Sequence, residues 1–270
     1  MFRPSTVQAL VTRQVLLYTR NPVRAVELFF WPIVQLLVWG FVTMYLQQQA
    51  GSGGQDGFAR MITFLIGAII LWDALFRSQQ GVAISFLEDV WTRNLLNVFA
   101  APIRMTEYLS ATFVVGLLRV VITGVVLAAI AWISYQFNLF QFQWKLFAFY
   151  ANLMIFGWTL GILSTALVLR WGHGVESLAW AIPFMIQPFA CVFYEVNVLP
   201  GWMQWVALAM PPAHVFNGMR SMVATGTLNP GDLVLAGGLN VAYLAVAGLL
   251  FSRTLSVARE RGLLVKTAAS

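Results

Sequence analysis

An all-α integral membrane fold with six transmembrane helices follows from three observations. Hydrophobic residues fill 60% of the 270 positions and charged ones only 10%, whereas a soluble domain carries about a quarter charged residues to cover its surface. Six runs are long and apolar enough to cross about 30 Å of hydrocarbon, which takes about 20 helical residues. Lysine and arginine gather at alternate connections between those runs, as they do where cytoplasmic loops retain positive charge.

The runs are 27–46, 61–76 continuing toward 87, 108–135, 146–169, 178–196 and 233–251. Arg3, Arg13, Arg20 and Arg24 precede the first, and Arg77, Arg93 and Arg104 flank the second-to-third connection. Arg170 heads the fourth-to-fifth turn, and Arg253, Arg259, Arg261 and Lys266 follow the sixth run. The other connections hold Arg60, Lys145 and Arg220. Both termini are therefore expected in the cytoplasm. The net charge of +6 fits topology and anionic lipid better than nucleic acid, because no basic stripe forms. Residues 1–24 are polar and basic, without the apolar core or cleavage site of a secretory signal. No repeat or soluble segment divides the chain, so residues 1–270 read as one membrane domain.

Three segments do not span. Within 1–26, residues 6–20 form an amphipathic helix with Val7, Leu10, Val11, Leu17 and Tyr18 on one side. Asn21-Pro22 ends it, since proline disfavours a helical residue before it. Such a helix is expected in the cytoplasmic interface, with Arg13 and Arg20 toward lipid phosphates. Residues 86–104 read as a short cytoplasmic helix, opened by Glu88 and Asp89 and stopped by Pro102. Its apolar side chains Val90, Trp91, Leu95 and Leu96 exceed what a solvated connector needs, so a partner or the membrane covers them. Residues 198–226, broken by Pro200, Gly201, Pro211 and Pro212, are too interrupted for one span and too apolar for a loop. Two short helices that dip into the outer leaflet and return fit this pattern, with Trp202 and Trp205 at the interface.

These features together resemble the ABC-2 type exporter permease family. The matching residues are Arg20-Asn21-Pro22, the first-span run FFWPIVQLLVWGF from Phe29, the acidic-start segment ending in Ala101-Pro102, and the LPGWMQW…PP…MR block from Leu199 to Arg220. The family often carries Glu-x-Gly-Thr in the cytoplasmic segment, where this chain reads Glu88-Asp89-Val90-Trp91-Thr92-Arg93-Asn94. The resemblance implies a homodimer in a bacterial plasma membrane, bound to two copies of a separate ATPase subunit. It also implies that 86–101, with Glu88, Asp89, Val90, Trp91, Thr92, Arg93, Leu95 and Leu96, carries the ATPase-coupling contact. No cofactor is expected in this chain; ATP and Mg belong to the partner. A phosphate-binding loop needs Gly-Lys-Ser/Thr, and neither Lys145 nor Lys266 follows a glycine.

Asp73, Arg77 and Arg119 fall inside spans, where an ion faces a partner or water. Asp73 lies at a depth similar to Arg119 and four residues from Arg77, so either arginine is a candidate partner. Two readings stand: a polar patch along a solute path, or an ion pair that locks spans two and three. Arg220 closes the broken segment, and Glu195 sits near the outer interface. His173 and His214 lack a second ligand at metal-binding spacing, and no catalytic triad or His-Glu-x-x-His order is present. The lone Cys191 excludes an intramolecular disulfide. The 11 Trp and 21 Phe read as lipid anchors and packing, with a sugar-stacking path as the alternative. The competing functions are a secondary transporter or channel, for which no paired broken helices are seen, and an intramembrane enzyme.

Orientation is directly testable. Cysteines introduced at Ser52 and Gly226 should react with an impermeant maleimide from outside the cell, and those at Thr92 and Ser270 should not; outside labelling at Thr92 overturns the topology.

Overall fold

The computed structural model describes residues 2–49, 55–94, 97–98 and 101–260. All regular structure among them is helical. Helix α1 (Pro4–Thr19) opens on a proline, whose missing N–H is no loss in a first turn. Its inward face is Val7, Leu10, Val11, Gln14, Leu17 and Tyr18, spaced by threes and fours. After Asn21 come α2 (Pro22–Gln49), α3 (Gln55–Trp91), α4 (Met105–Tyr135) and α5 (Gln143–Trp171). Then follow α6 (Glu176–Ile186), α7 (Gly201–Leu208), α8 (Pro211–Thr225) and α9 (Pro230–Glu260). Five of these nine described helices are long and apolar enough to cross a membrane: α2, α3, α4, α5 and α9.

Helices α3 and α5 form the centre, with 72% of the most apolar stretch of each buried, against 17% for α2 and α9. Apolar side chains gain nothing by leaving lipid, so helices associate where small residues let backbones approach. A Cβ on Gly157 would collide with the Leu75 carbonyl oxygen, and one on Gly161 would lie 2.8 Å from that of Gln79. A Cβ on Gly81 would strike the Gly116 backbone of α4 in the same way. Peripheral α9 is pinned by a polar contact instead: Asn240 Nδ2 donates to the Asn152 carbonyl and side-chain oxygens of α5, both at 3.0 Å.

One end of the bundle gathers Phe86, Leu87, Val90, Tyr108, Leu169, Phe251 and Leu255, with Leu10 of α1 packed against them. Toward the other end lie Phe137, Leu139, Phe142, Phe149, Phe216 and Ala236. The first and last described helices therefore reach the same end.

The structure corrects three expectations. The run 178–196 is helical only to Ile186, and 11 residues rise about 16 Å, half of a hydrocarbon core. Pro183 and Pro188 supply no N–H, and Cys191 takes a left-handed φ of 51°, so the chain turns through 187–195 and finishes this passage without a helix. Second, no separate helix opens at Glu88 and Asp89. Helix α3 runs unbroken to Trp91 because 76–91 holds no proline and a single glycine, and its apolar side chains Val82, Ile84, Phe86, Leu87 and Val90 are buried by packing; Thr92 and Arg93 then turn, Arg93 with φ 53°. Third, α1 lies along the first half of α4, its start at Glu107 and its end at Arg119, and Arg13 turns to Asp89 rather than outward to lipid phosphate.

The close approach of α3 and α5 sets a measurable cost. Gly157→Ala and Gly161→Ala should each destabilise the chain by about 1–3 kcal/mol through overpacking, read as a lower Tm in detergent. Gly238→Ala, with no atom within 4 Å of the added methyl, should keep Tm or raise it slightly through better helix propensity, and equal losses at all three refute the packing argument.

Candidate functional site

The carboxylates at the end of α3 and the start of α4 are fully enclosed: Glu88 is 2% exposed, and Asp89 and Glu107 are 0%. An ionised carboxylate persists there only if paired, and the chain supplies three arginines from its first 24 residues. Arg3 lies 3.6 Å from Glu107 through Nε and also donates its backbone N–H to it at 2.8 Å. Arg13 pairs with Asp89, whose second oxygen accepts the Tyr108 hydroxyl at 3.0 Å. Arg24 of α2 reaches Glu88 at 3.1 Å, and the Tyr18 hydroxyl approaches the same oxygen at 3.5 Å. Burial pushes the Tyr18 hydroxyl up from its ordinary value, so it stays a neutral donor. The N-terminal segment is thus fastened at three points to the α3–α4 corner.

Above this floor, α2, α3 and α6 leave a cavity of about 410 Å³. Both α2 and α6 pack on α3, and the space lies between them. Its polar side carries Arg24, Glu27, Asp73, Arg77, Gln80, Glu88 and Arg119; its aromatic side carries Trp31, Trp72, Phe76, Trp180 and Phe184. Toward the other end, Trp39 of α2 stacks on Phe193 with ring centroids 5.1 Å apart, which closes the groove between α2 and the 187–195 turn.

Asp73 takes Arg77 as its partner, Nε to Oδ1 at 3.1 Å along one helix face. Arg77 also donates to Gln80 Oε1 at 2.8 Å. Arg119 pairs with neither; its Nη1 donates to the Gln80 carbonyl at 3.2 Å, and its guanidinium lies over the Tyr18 ring at 4.7 Å. The pairing of Asp73 with Arg119 is thereby excluded in this structure.

Of the coupling residues named from sequence, Glu88, Asp89 and Val90 are buried, with both carboxylates spent inside the chain. Trp91 is 40% exposed and donates Nε1 to Glu176 of α6 at 2.7 Å. Thr92 and Arg93 are exposed, and Leu95 and Leu96 lie outside the described residues. Pro200 caps α7, Trp202 and Trp205 are exposed, and Pro211 and Pro212 are buried at the start of α8. Arg220 ties this pair of helices back to the turn, donating to the Cys191 and Tyr194 carbonyls at 3.1 and 2.8 Å and lying over Phe64. His214 is also structural, with Nε2 2.8 Å from the Leu208 carbonyl.

The family model of the ABC-2 type transporter matches residues 5–223. The chain belongs to the ABC-2 type transporter family. It is a multi-pass membrane protein and the permease component of an ABC transporter. No curated protein matches it. The match takes in α1 from its second residue, the Arg13–Asp89 and Arg24–Glu88 pairs and the whole cavity of this ABC-2 permease.

Among the cavity residues missed from sequence are Tyr18, Arg24, Gln80, Trp31 and Trp180. Ser78-Gln79-Gln80, three polar residues in the middle of an apolar run, is the signal that marks its wall. Gln79 itself crosslinks three helices, donating to Ala179 O at 2.7 Å and Ser164 Oγ at 3.2 Å.

The ion pairing yields a double-mutant test. Asp73→Asn and Arg77→Gln should each cost about 3 kcal/mol by stranding a buried charge, with the double variant well short of their sum. Asp73→Asn and Arg119→Gln should be near additive in the same unfolding measurement; stronger coupling to Arg119 than to Arg77 overturns the assignment.

Proposed function

We propose that the chain is the membrane-spanning subunit of an ATP-driven exporter. It works as a homodimer with two copies of a separate ATPase in a bacterial plasma membrane, both termini in the cytoplasm. Six spans are reached by counting the short helix α6 with the turn that follows it as the fifth. The 198–226 pair of helices dips into the outer leaflet. The cargo is an amphiphile, whether lipid-linked, polysaccharide or drug-like, and it moves outward through the dimer interface. ATP and Mg are held by the partner subunit.

The observation that carries this reading is that Glu88 belongs to two structures at once. It lines the cavity and it anchors Arg24 and Tyr18, one turn before α3 ends at Trp91. A push on the α3–α4 connection by a docked motor therefore reaches the cavity floor and the start of α2 through short, buried polar contacts. The coupling surface includes the exposed residues Trp91 to Arg93, and we assign Leu95 and Leu96 to it from sequence. Glu88 and Asp89 act from within as its anchors.

The test is recovery of the ATPase subunit. With Trp91→Ser and Leu95→Ser combined, the permease should insert normally, yet pull-down of the ATPase in detergent should fall several-fold and transport-stimulated hydrolysis should be lost. Undiminished recovery with normal stimulation refutes the coupling role, and a wild-type permease that moves solute with no ATPase points to a channel or secondary transporter.

A further inference from the structure

Six charged side chains line the cavity, and their pairing leaves one buried cation over. Arg24 is matched by Glu88 and Arg77 by Asp73. The remaining two are Glu27, exposed on α2, and Arg119, which is only 5% exposed. No carboxylate oxygen lies within 4.0 Å of Arg119 among the described residues; Glu88, whose Oε2 is itself unpartnered, attracts it from farther off while paired with Arg24. A guanidinium cannot shed its proton to escape burial, so an enclosed arginine without a counter-ion is costly unless something completes it.

The hydrogen bonds show what is missing. Arg119 uses Nη1 on the Gln80 carbonyl, while Nε and Nη2 have no partner. Those two nitrogens form one edge of the guanidinium, with parallel N–H bonds spaced for two oxygens of a single phosphate or carboxylate. The face of the same group is supported by the Tyr18 ring, and the edge is itself enclosed, so a ligand takes it as the side chain turns toward the cavity that Arg119 lines. Around it the cavity is aromatic, and Trp31 and Phe184 are 62% and 51% exposed on α2 and α6. A hydrocarbon chain can leave between them toward the surface of the bundle.

We propose that the cavity binds the anionic head group of an amphiphile, a phosphate or a carboxylate, on the Nε and Nη2 edge of Arg119, with its tail between Trp31 and Phe184. This rests on the exporter reading for its role, since it narrows the cargo to acidic amphiphiles. The binding chemistry itself needs no ATPase. A neutral sugar or a cationic drug leaves the Arg119 edge unmatched, whereas an acidic amphiphile satisfies the head and the walls together. The volume of about 410 Å³ is that of a small-molecule pocket, enough for a head group and the first part of a chain.

The experiment uses the full chain in phosphatidylcholine nanodiscs, titrated with dodecyl phosphate or dodecyltrimethylammonium below their micellar concentrations and read by tryptophan fluorescence. The phosphate should bind at least about tenfold tighter than the ammonium, the effect of a charge-assisted hydrogen-bonded pair. Inorganic phosphate at the same concentrations should not compete. Arg119→Gln should abolish the preference. Gln35→Glu, which adds a carboxylate to the cavity wall without touching Arg119, should weaken it, and this second variant decides the matter if the first fails to fold. Equal binding of the two amphiphiles by the wild type, or a preference intact in both variants, overturns the proposal. Replacing part of the phosphatidylcholine with phosphatidylglycerol identifies the source: weakened dodecyl phosphate binding means that a bilayer lipid occupies the site, and unchanged binding means that the site prefers a different acidic head group. Failure to recover an ATPase partner leaves this result standing, and failure here leaves the ATPase reading standing.

Discussion

Helix α3 packs on α2, α4, α5, α6 and α8, and glycine replaces side chains where it meets α4 and α5 most closely. Backbones at that separation exchange dispersion contacts over their whole length and leave no room for lipid between them. The polar groups that α3 gives the cavity depend on this placement. Asp73, Arg77, Gln80 and Glu88 sit on one side of a helix that is otherwise encased, so the only low-density region they can face is the gap between α2 and α6. Were α3 more loosely held, those groups would have alternative exits to water and no fixed geometry.

The same helix joins two kinds of polar chemistry. At its end, Glu88 and Asp89 are held by arginines and tyrosines from α1, α2 and α4, and such pairs on buried carboxylates act as fixed joints, since opening one strands a charge. Higher up, Arg119 is only partly satisfied. An enclosed region that is closed in one layer and incomplete in the next has the character of a receptor: the closed layer holds geometry, and the incomplete layer has binding energy to give.

Much of this was legible from residues alone, for reasons that differ from element to element. Five long apolar runs required no tertiary knowledge, because hydrocarbon thickness dictates their length. The Asp73–Arg77 pair was available as one of two options because its spacing is local. The pairing of Arg13 with Asp89 was not, since residues 76 positions apart in sequence meet only after α1 lies down along α4. The same arginine was reasonably assigned to lipid. The break at Pro188 was hidden by the apolar character of 178–196, which hydropathy reads as continuous whether or not the backbone turns. The cavity was least legible of all, for it arises where α2 and α6 fail to meet, and sequence patterns report contacts better than gaps.

The amide contact between Asn240 and Asn152 bears on how the chain comes to be assembled. Helix α9 is synthesised after every other described helix, and it carries an amide that hydrocarbon does not solvate. Until it docks on α5, the amide's N–H donor is stranded; once docked it is satisfied by Asn152, and sliding by a single residue, about 1.5 Å, strands it again. The contact therefore works as a register pin during biogenesis, so that the last helix to enter the bilayer completes the bundle in one alignment or remains recognisably unassembled.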